Sequence, residues 1–233
     1  DDTWYAEHGI DLRLSTRAGR IDRPRKRVVL EDGQELAYDR LLLATGAQPK
    51  VPKLPGVELD GVHVLRDVAD SLALRDAMRA GARVALVGGG YIGLEVAAAA
   101  RKLGCDTTVL EAAGSLMNRQ VAPELGDWYA RLHRDHGAVV RLQAEVARLI
   151  GGGRVEAVEL ADGGRVDADL VVIGVGIRPN VELALQAGLE AGDGIEVDAQ
   201  GRTSDPDIFA AGDVTRQPNP YVDGKLRLES WQN

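Results

Sequence analysis

One segment restricts the fold of this chain more than any other: the glycine cluster Gly88-Gly89-Gly90-Tyr91-Ile92-Gly93. It follows a predicted strand at Arg83 to Val87 and opens a predicted helix at Ile92 to Lys102. The next predicted strand, Thr107 to Glu111, ends on an acidic residue roughly 20 residues after the glycines. This order predicts a βαβ unit from Val84 to Glu111 that binds an adenine dinucleotide.

Each part of the predicted unit has a physical role. Gly88 permits the tight turn, Gly90 lets the backbone approach the pyrophosphate, and Gly93 lets helix and strand pack closely. The helix N-terminus adds N–H donors and a partial positive charge. Glu111 can accept both ribose hydroxyls of NAD and would repel the 2′-phosphate of NADP, and residues 112–114 contain no arginine. We therefore predict NAD(H) over NADP(H). The alternative is a glycine-rich turn without a ligand.

The net charge of the chain limits the classes of partner that it is expected to bind. A net charge of -8 argues against nucleic acid, which is bound mainly through cationic contacts to phosphates. A basic cluster near the start is a local exception, comprising Arg13, Arg17, Arg20, Arg23, Arg25, Lys26 and Arg27. It either faces a phosphate-bearing cofactor or an acidic protein, or is a solvated hairpin face. With no long apolar run and no leader-like start, we expect a soluble cytoplasmic protein without a membrane partner.

Other chemistries have little support in the sequence. The single cysteine, Cys105, excludes a disulfide or Cys-x-x-Cys site within these residues, and we predict it to be buried before a strand. His133 and His136 could form a helical pair, but no third ligand is evident, so we predict a surface helix and no metal site. Ser-His-Asp and paired-carboxylate sites are not convincing either.

The remaining patterns predict an α/β arrangement in which strands and helices alternate first and antiparallel strands follow. We expect a strand at Ile10 to Leu14, a hairpin around Asp32-Gly33, and a strand buried on both faces at Arg40 to Ala44. The proline-rich stretch 48–56 predicts a domain crossing. Further helices are predicted at 67–79, 123–136 and 181–187, and further strands near Val139, Val146 and Val155, at 169–173 and at 208–211.

Four ordered motifs, residues 38–46, 88–95, 174–180 and 203–213, together resemble FAD-dependent pyridine nucleotide oxidoreductases. The tail 227–233 narrows the resemblance to NADH-dependent ferredoxin reductases of the putidaredoxin and rubredoxin reductase type. The resemblance covers Trp4 to Asn233. It implies a Rossmann-like NAD-binding domain, residues 55–179, inserted in a discontinuous, truncated FAD-binding domain of glutathione-reductase type, residues 1–54 and 180–233.

The resemblance also implies site residues. Glu95 would lie near the nicotinamide and the flavin, and Trp231 near the flavin ring. The FAD contacts would be Ala18, Thr45, Gly46, Arg66, Gly212 and Asp213, and further NAD contacts would be Tyr91, Ile92, Arg119, Val175 and Gly176. Simpler interpretations stay open. Glu95 could complement the helix N-terminus, Asp213 could stabilise a turn, Trp231 could fill a core, and Arg119 could be a surface residue.

The implied activity is hydride transfer from NADH to FAD, followed by electron transfer to a ferredoxin or rubredoxin-like iron-sulfur protein. Members of this family begin with their own glycine turn for FAD, which is not found in these residues, so we expect the chain alone to bind FAD poorly and to be inactive. Two alternatives remain: an NADH-dependent disulfide, peroxide or oxygen reductase with a redox cysteine upstream, and a non-catalytic module in which NAD occupancy controls protein association.

Overall fold

The computed structural model describes residues 2–221 and 223–229. The chain forms two compact units, one continuous (Gln48–Ile177) and one discontinuous (Asp1–Ala47 and Arg178–Asn233). The predicted domain boundaries lie after residues 54 and 179, whereas the compact units divide after residues 47 and 177. The proline-rich stretch therefore falls inside the continuous unit. Which nucleotide each unit binds stays a prediction.

The helices are α1 (Asp2–Glu7), α2 (Val68–Ala77), α3 (Tyr91–Lys102), α4 (Pro123–Asp135) and α5 (Glu182–Gln186). The first strands in chain order are β1 (Ala18–Asp22), β2 (Arg27–Leu30), β3 (Glu35–Ala37), β4 (Leu41–Leu43), β5 (Ala47–Pro49), β6 (Val62–His63), β7 (Arg83–Val87), β8 (Asp106–Leu110) and β9 (Val139–Arg141). The later strands are β10 (Val146–Ile150), β11 (Ala157–Leu160), β12 (Arg165–Asp167), β13 (Leu170–Ile173), β14 (Ile177–Pro179), β15 (Ala191–Gly192), β16 (Gly194–Glu196), β17 (Ile208–Ala210), β18 (Thr215–Pro218) and β19 (Lys225–Leu226).

The continuous unit is built on a five-stranded parallel sheet with the order β6-β13-β7-β8-β9. Its central βαβ unit, β7-α3-β8, confirms the predicted strand, helix and strand. The helix starts one residue earlier than predicted, at Tyr91, and the second strand ends at Leu110, so Glu111 directly follows it. Small residues let α3 pack closely, and Ala97 and Ala100 are completely buried.

Two hydrophobic cores cover the two faces of this sheet. Val84 and Leu86 of β7 belong to one core, while Ala85 and Val87 belong to the other, as the alternation of side chains along a strand requires. All four residues of β13 are buried, as predicted for a strand covered on both faces. Replacing the fully buried Leu86 with alanine should cost about 2–5 kcal/mol.

Three further features complete the continuous unit. Strands β10, β11 and β12 form an antiparallel sheet, and β11 starts at Ala157, slightly after the predicted position near Val155. Helix α4 begins with Pro123 at its first turn, where a missing N–H costs nothing. Cys105 is buried directly before β8, as predicted. Burial raises the pKa of its thiol.

The described residues of the discontinuous unit form three small sheets. Strands β1, β2 and β3 form an antiparallel meander, β15-β16-β18-β19 form a four-stranded sheet, and β4 pairs in parallel with β17. Its core centres on Ile195, Ile208 and Val214, each of which is fully buried.

Two strand predictions in the discontinuous unit are wrong. No strand forms at Ile10 to Leu14, because no described segment pairs with it, and Leu14 is 68% exposed. Strand β4 is not buried on both faces, since Leu42 is 60% exposed. In each case the apolar residues suit a strand, but the described residues supply no covering layer on that side.

The basic cluster is largely neutralised by carboxylates. Arg25 makes a bidentate ion pair with Glu35 at 2.8–2.9 Å, and Arg23 Nε donates to Asp205 at 2.7 Å. Lys26 and Arg40 both pair with Asp207. These pairs favour a solvated, salt-bridged hairpin over an open anion site.

No helix among residues 2–221 and 223–229 is long and apolar enough to span a membrane.

An ion pair at the amino end of the parallel sheet gives the fold a testable pH dependence. The backbone N–H and the guanidinium of Arg83 both donate to Asp169, at distances of 2.5 to 3.1 Å, and they lower the carboxyl pKa to about 2. A carboxyl with a lowered pKa stabilises the fold above its ordinary value of 3.8, and this contribution is lost as the pH falls towards 2.

We predict that Asp169→Asn removes part of the acid sensitivity of unfolding. The effect should be at most about 1 kcal/mol, because both side chains are 44% exposed and water screens the pair. Denaturant unfolding of both proteins between pH 6 and 2 measures it. Parallel curves for the wild type and the variant would contradict the prediction.

Candidate functional site

The glycine turn between β7 and α3 is a place of close backbone contact. Gly88 has φ +108, and a Cβ on it would lie 2.4 Å from the carbonyl oxygen of Gly174. A Cβ on Gly93 would lie 2.1 Å from the carbonyl oxygen of Gly88. Packing within the protein therefore requires glycine at both positions, because no side chain fits between these backbones.

Gly90 is different, because no packing among the described residues requires glycine there. It is the N-cap of α3, with φ −84 and ψ −172, a conformation open to other residues. A Cβ on Gly90 would meet nothing within 4 Å. The space before the helix is therefore open, and the cap residue has no side chain to accept the first helical N–H groups. These features fit a pyrophosphate at the helix N-terminus.

The carboxylate of Glu111 lies beside this turn. Its Oε2 accepts the N–H of Gly89 at 2.7 Å, and its Oε1 accepts the N–H of Ala113 at 2.8 Å. A carboxylate has about four acceptor positions, so about two remain for further donors. The vicinal hydroxyls of a ribose would supply two such donors.

Other predicted NAD residues lie around the same turn. Gly176 has φ +112, and a Cβ on it would lie 3.8 Å from Nη1 of Arg119, so the structure brings these two predicted residues together. Val175 is half-buried against the core. Tyr91 and Ile92, in the first turn of α3, are 55% and 36% exposed, as residues lining an open channel would be.

Lys50 also lies beside Gly176, and no sequence signal selects it as a site residue. Its N–H donates to the Gly176 carbonyl at 2.9 Å, and its Cδ would be 4.0 Å from a Cβ on that glycine. Lys50 occurs in the proline-rich stretch, 38 residues before Gly88 in the chain, and no local motif marks it. Only the fold places this cation near the site.

Glu95 lies on the exposed side of α3. No acidic residue occupies the first turn of this helix, and Glu95 makes no ion pair among the described residues. Interactions with the helix dipole decline beyond the first turn, which weakens the interpretation of Glu95 as a helix-terminus carboxylate. Its predicted position near a nicotinamide stays a prediction.

A second group of predicted residues meets in the discontinuous unit. Thr45-Gly46 follows β4, and Gly212-Asp213 follows β17. Because these strands are parallel neighbours, both pairs lie at the same edge. Thr45 is held there by two hydrogen bonds with Asn180, of 2.7 and 2.8 Å. Gly212 has φ +80, and a Cβ on it would meet nothing within 4 Å among the described residues.

Three other predicted FAD contacts belong to other parts of the chain. Ala18 lies in β1 and is paired with Leu30 of the meander. Arg66 belongs to the continuous unit, where it is exposed and its N–H donates to Asp70. Trp231 lies outside the described residues. The roles of these three residues stay predictions.

We predict that Gly93→Ala and Gly90→Ala differ in stability. The first should destabilise the protein by about 1–3 kcal/mol, because its Cβ meets a backbone oxygen. The second should unfold close to the wild type, because its Cβ meets no protein atom. Thermal denaturation without nucleotide measures both, and equal losses in the two variants would contradict the different roles given to these glycines.

Comparison with known proteins places this geometry in a family. The family described as pyridine nucleotide-disulphide oxidoreductase matches residues 4–233. The ferredoxin--NAD(+) reductase component of the anthranilate 1,2-dioxygenase system of Burkholderia cepacia is 46% identical over 237 residues, covering 100% of this chain and 57% of that protein. The chain thus spans little more than half of this relative.

Two solved structures are similar over almost the whole chain. The reductase in the covalent putidaredoxin reductase-putidaredoxin complex is 38% identical with a TM-score of 0.93, covering 97% of this chain and 56% of its own. A NAD-dependent persulfide reductase from A. fulgidus is 32% identical with a TM-score of 0.93, and the match covers 99% of this chain and 44% of the persulfide reductase chain. The predicted α/β fold is therefore confirmed, and the chain belongs to the pyridine nucleotide-disulphide oxidoreductase family.

Proposed function

We propose that the protein containing this chain is an NADH-dependent flavoprotein reductase that passes electrons through FAD to a ferredoxin or rubredoxin-like iron-sulfur protein. The observation that carries the proposal is the open turn at Gly90 beside the Glu111 carboxylate. Together they suit a dinucleotide whose adenosine ribose has a free 2′-hydroxyl. The names of the related ferredoxin--NAD(+) reductase and of the putidaredoxin complex support the acceptor class.

In this proposal the two units bind different nucleotides. The continuous unit would hold NADH, with the α3 N-terminus at the pyrophosphate, Glu111 at the ribose, and Arg119, Val175 and Gly176 alongside. The discontinuous unit would hold FAD, with Thr45-Gly46 and Gly212-Asp213 at the end of the β4-β17 pair. Ala18, Arg66 and Trp231 would complete the FAD contacts.

The residues of the chain would bind and orient the nucleotides rather than form covalent bonds to them. FAD, when bound, would supply the chemistry of accepting a hydride and releasing single electrons. The N–H groups of α3 would neutralise phosphate charge, and Tyr91 and Ile92 would line the nicotinamide channel. Glu95, exposed one turn further along α3, would place a carboxylate beside the nicotinamide.

A specific observation supports one alternative. The similarity to a NAD-dependent persulfide reductase is compatible with sulfur chemistry in the same family. Such chemistry needs a reactive thiol, and Cys105 does not suit it, because it is buried and its pKa is raised by burial. A redox cysteine in the rest of the complete protein would favour this alternative, and binding of NADH without any turnover would favour a non-catalytic module.

The proposal includes a cytoplasmic location, because NADH and reduced ferredoxins are intracellular electron carriers. Fractionation of cells that produce the complete protein tests this part.

We expect steady-state NADH oxidation by the complete protein to need a ferredoxin or rubredoxin acceptor, because the reduced flavin must be reoxidised before a second turnover. Gly90→Ala should raise the Kd for NADH roughly tenfold or more, because its methyl group enters the space for the pyrophosphate. Glu95→Gln should lower the rate of flavin reduction at saturating NADH and leave the Kd within about threefold. Stopped-flow absorbance and calorimetric titration measure these effects. Turnover with disulfides or persulfides, and none with iron-sulfur proteins, would contradict the proposed acceptor.

A further inference from the structure

The chain after Glu111 folds back onto the glycine turn. We call residues 115–117 the strap. The Met117 N–H donates to the Gly89 carbonyl at 3.0 Å, and Leu116 is completely buried. Met117 has φ +51, which is uncommon for a residue with a side chain, and it is only 3% exposed. The surrounding packing therefore holds the strap in an unfavourable backbone conformation.

Gly89 lies between the strap and Glu111. Its carbonyl accepts from the strap, and its N–H donates to Glu111 Oε2 at 2.7 Å. A Cβ on Gly89 would lie 2.4 Å from Cδ2 of Leu116 and 3.2 Å from both Cβ and Oε2 of Glu111. Its φ lies outside the left-handed region, so the backbone would accept alanine. Contact with these two side chains, and not backbone conformation, therefore favours glycine here.

These contacts fix the Glu111 carboxylate from both sides. Gly89 holds one oxygen, and Ala113 holds the other at 2.8 Å. An unrestrained glutamate could rotate away from a 2′-phosphate at little cost. A carboxylate held by two N–H donors would lose both hydrogen bonds by rotating, so its repulsion of the phosphate persists. The same restraint presents its remaining acceptor positions to ribose hydroxyls without further ordering.

We propose that Gly89, whose carbonyl is held by the strap, is a positioning residue that sets the preference for NADH over NADPH, because its N–H holds the Glu111 carboxylate in one orientation. The proposal rests on the proposed binding of NADH in the continuous unit. A positioning role and a merely structural role for Gly89 predict different nucleotide affinities. Loss of the restraint should change the ratio of the two affinities, whereas general damage to the turn should weaken both nucleotides equally.

The first test is Gly89→Ala in the complete protein, with NADH and NADPH titrated by calorimetry. The added methyl group displaces Leu116 and the Glu111 carboxylate. We expect the Kd for NADH to rise roughly tenfold, as for one lost hydrogen bond to a charged group, and the Kd for NADPH to change less than about threefold. Gly152→Ala is the matched control, because its Cβ would approach only Glu156, at 3.9 Å, and neither Kd should change.

The second test is rescue by the partner side chain. Leu116→Ala removes the Cδ2 atom that the new methyl group would meet, so Gly89→Ala combined with Leu116→Ala should recover at least half of the lost selectivity on a logarithmic scale. Leu116→Ala alone should leave the affinity ratio within about threefold of the wild type, because the backbone N–H groups of Met117 and Gly89 keep their hydrogen bonds. A folded double variant without any recovery would overturn the proposal.

If Gly89→Ala fails to fold, Glu111→Asp is used to test the same restraint on the carboxylate. Aspartate keeps the charge, but its shorter side chain cannot reach both N–H donors, so we expect NADPH to bind at least about threefold more tightly than to the wild type. Unchanged exclusion of NADPH would show that charge alone sets the preference, and equal weakening of both nucleotides in Gly89→Ala would show a structural role. Each result overturns the proposal. Failure of the wild type to bind NADH would instead refute the proposed function.

Discussion

Three backbone segments meet at the glycine turn with no side chain between them, and the rest of the site depends on this contact. The oxygen of Gly174 lies against Gly88, and the oxygen of Gly88 lies against Gly93. These contacts bring β13, β7 and α3 together at the carboxyl edge of the parallel sheet. The N-terminus of α3 consequently points into open space at Gly90, and the end of β8 brings Glu111 alongside. Backbone packing thereby places an open helix N-terminus beside a carboxylate, the two groups proposed to bind the pyrophosphate and the ribose.

The central part of this arrangement could be predicted from the sequence because its signals are local. Strand β7, helix α3 and strand β8 each carry a complete pattern, and the glycine spacing links them. The strap could not be predicted in the same way. The contact of Leu116 with Gly89 depends on how residues 112–121 fold back, and the left-handed conformation of Met117 has no sequence signature. Lys50 was missed for a similar reason, since only tertiary structure places it beside Gly176.

The wrong predictions share a physical cause. The apolar residues at Ile10 to Leu14 and in β4 show which side chains could be buried in a strand. They do not show whether another part of the chain packs over those side chains. The exposed Leu14 and Leu42 side chains follow from this difference. The basic cluster gives the converse case, because its arginines meet carboxylates such as Asp205 that are distant in the sequence. Local sequence patterns predict the helices and strands well. Which faces of these elements are buried, and which charges are paired, depends on contacts between residues distant in the sequence.

In the proposed complex, a dinucleotide binds at the glycine turn and Glu111 accepts hydrogen bonds from its adenosine ribose. A crystal structure of the complete protein with bound NAD(H) tests this claim most directly. We expect the pyrophosphate at the first N–H groups of α3 beside Gly90, and the adenosine ribose at Glu111 with the Gly89 and Ala113 hydrogen bonds intact. A nucleotide bound away from this turn, or a Glu111 side chain rotated away from Gly89 in the complex, would contradict the claim.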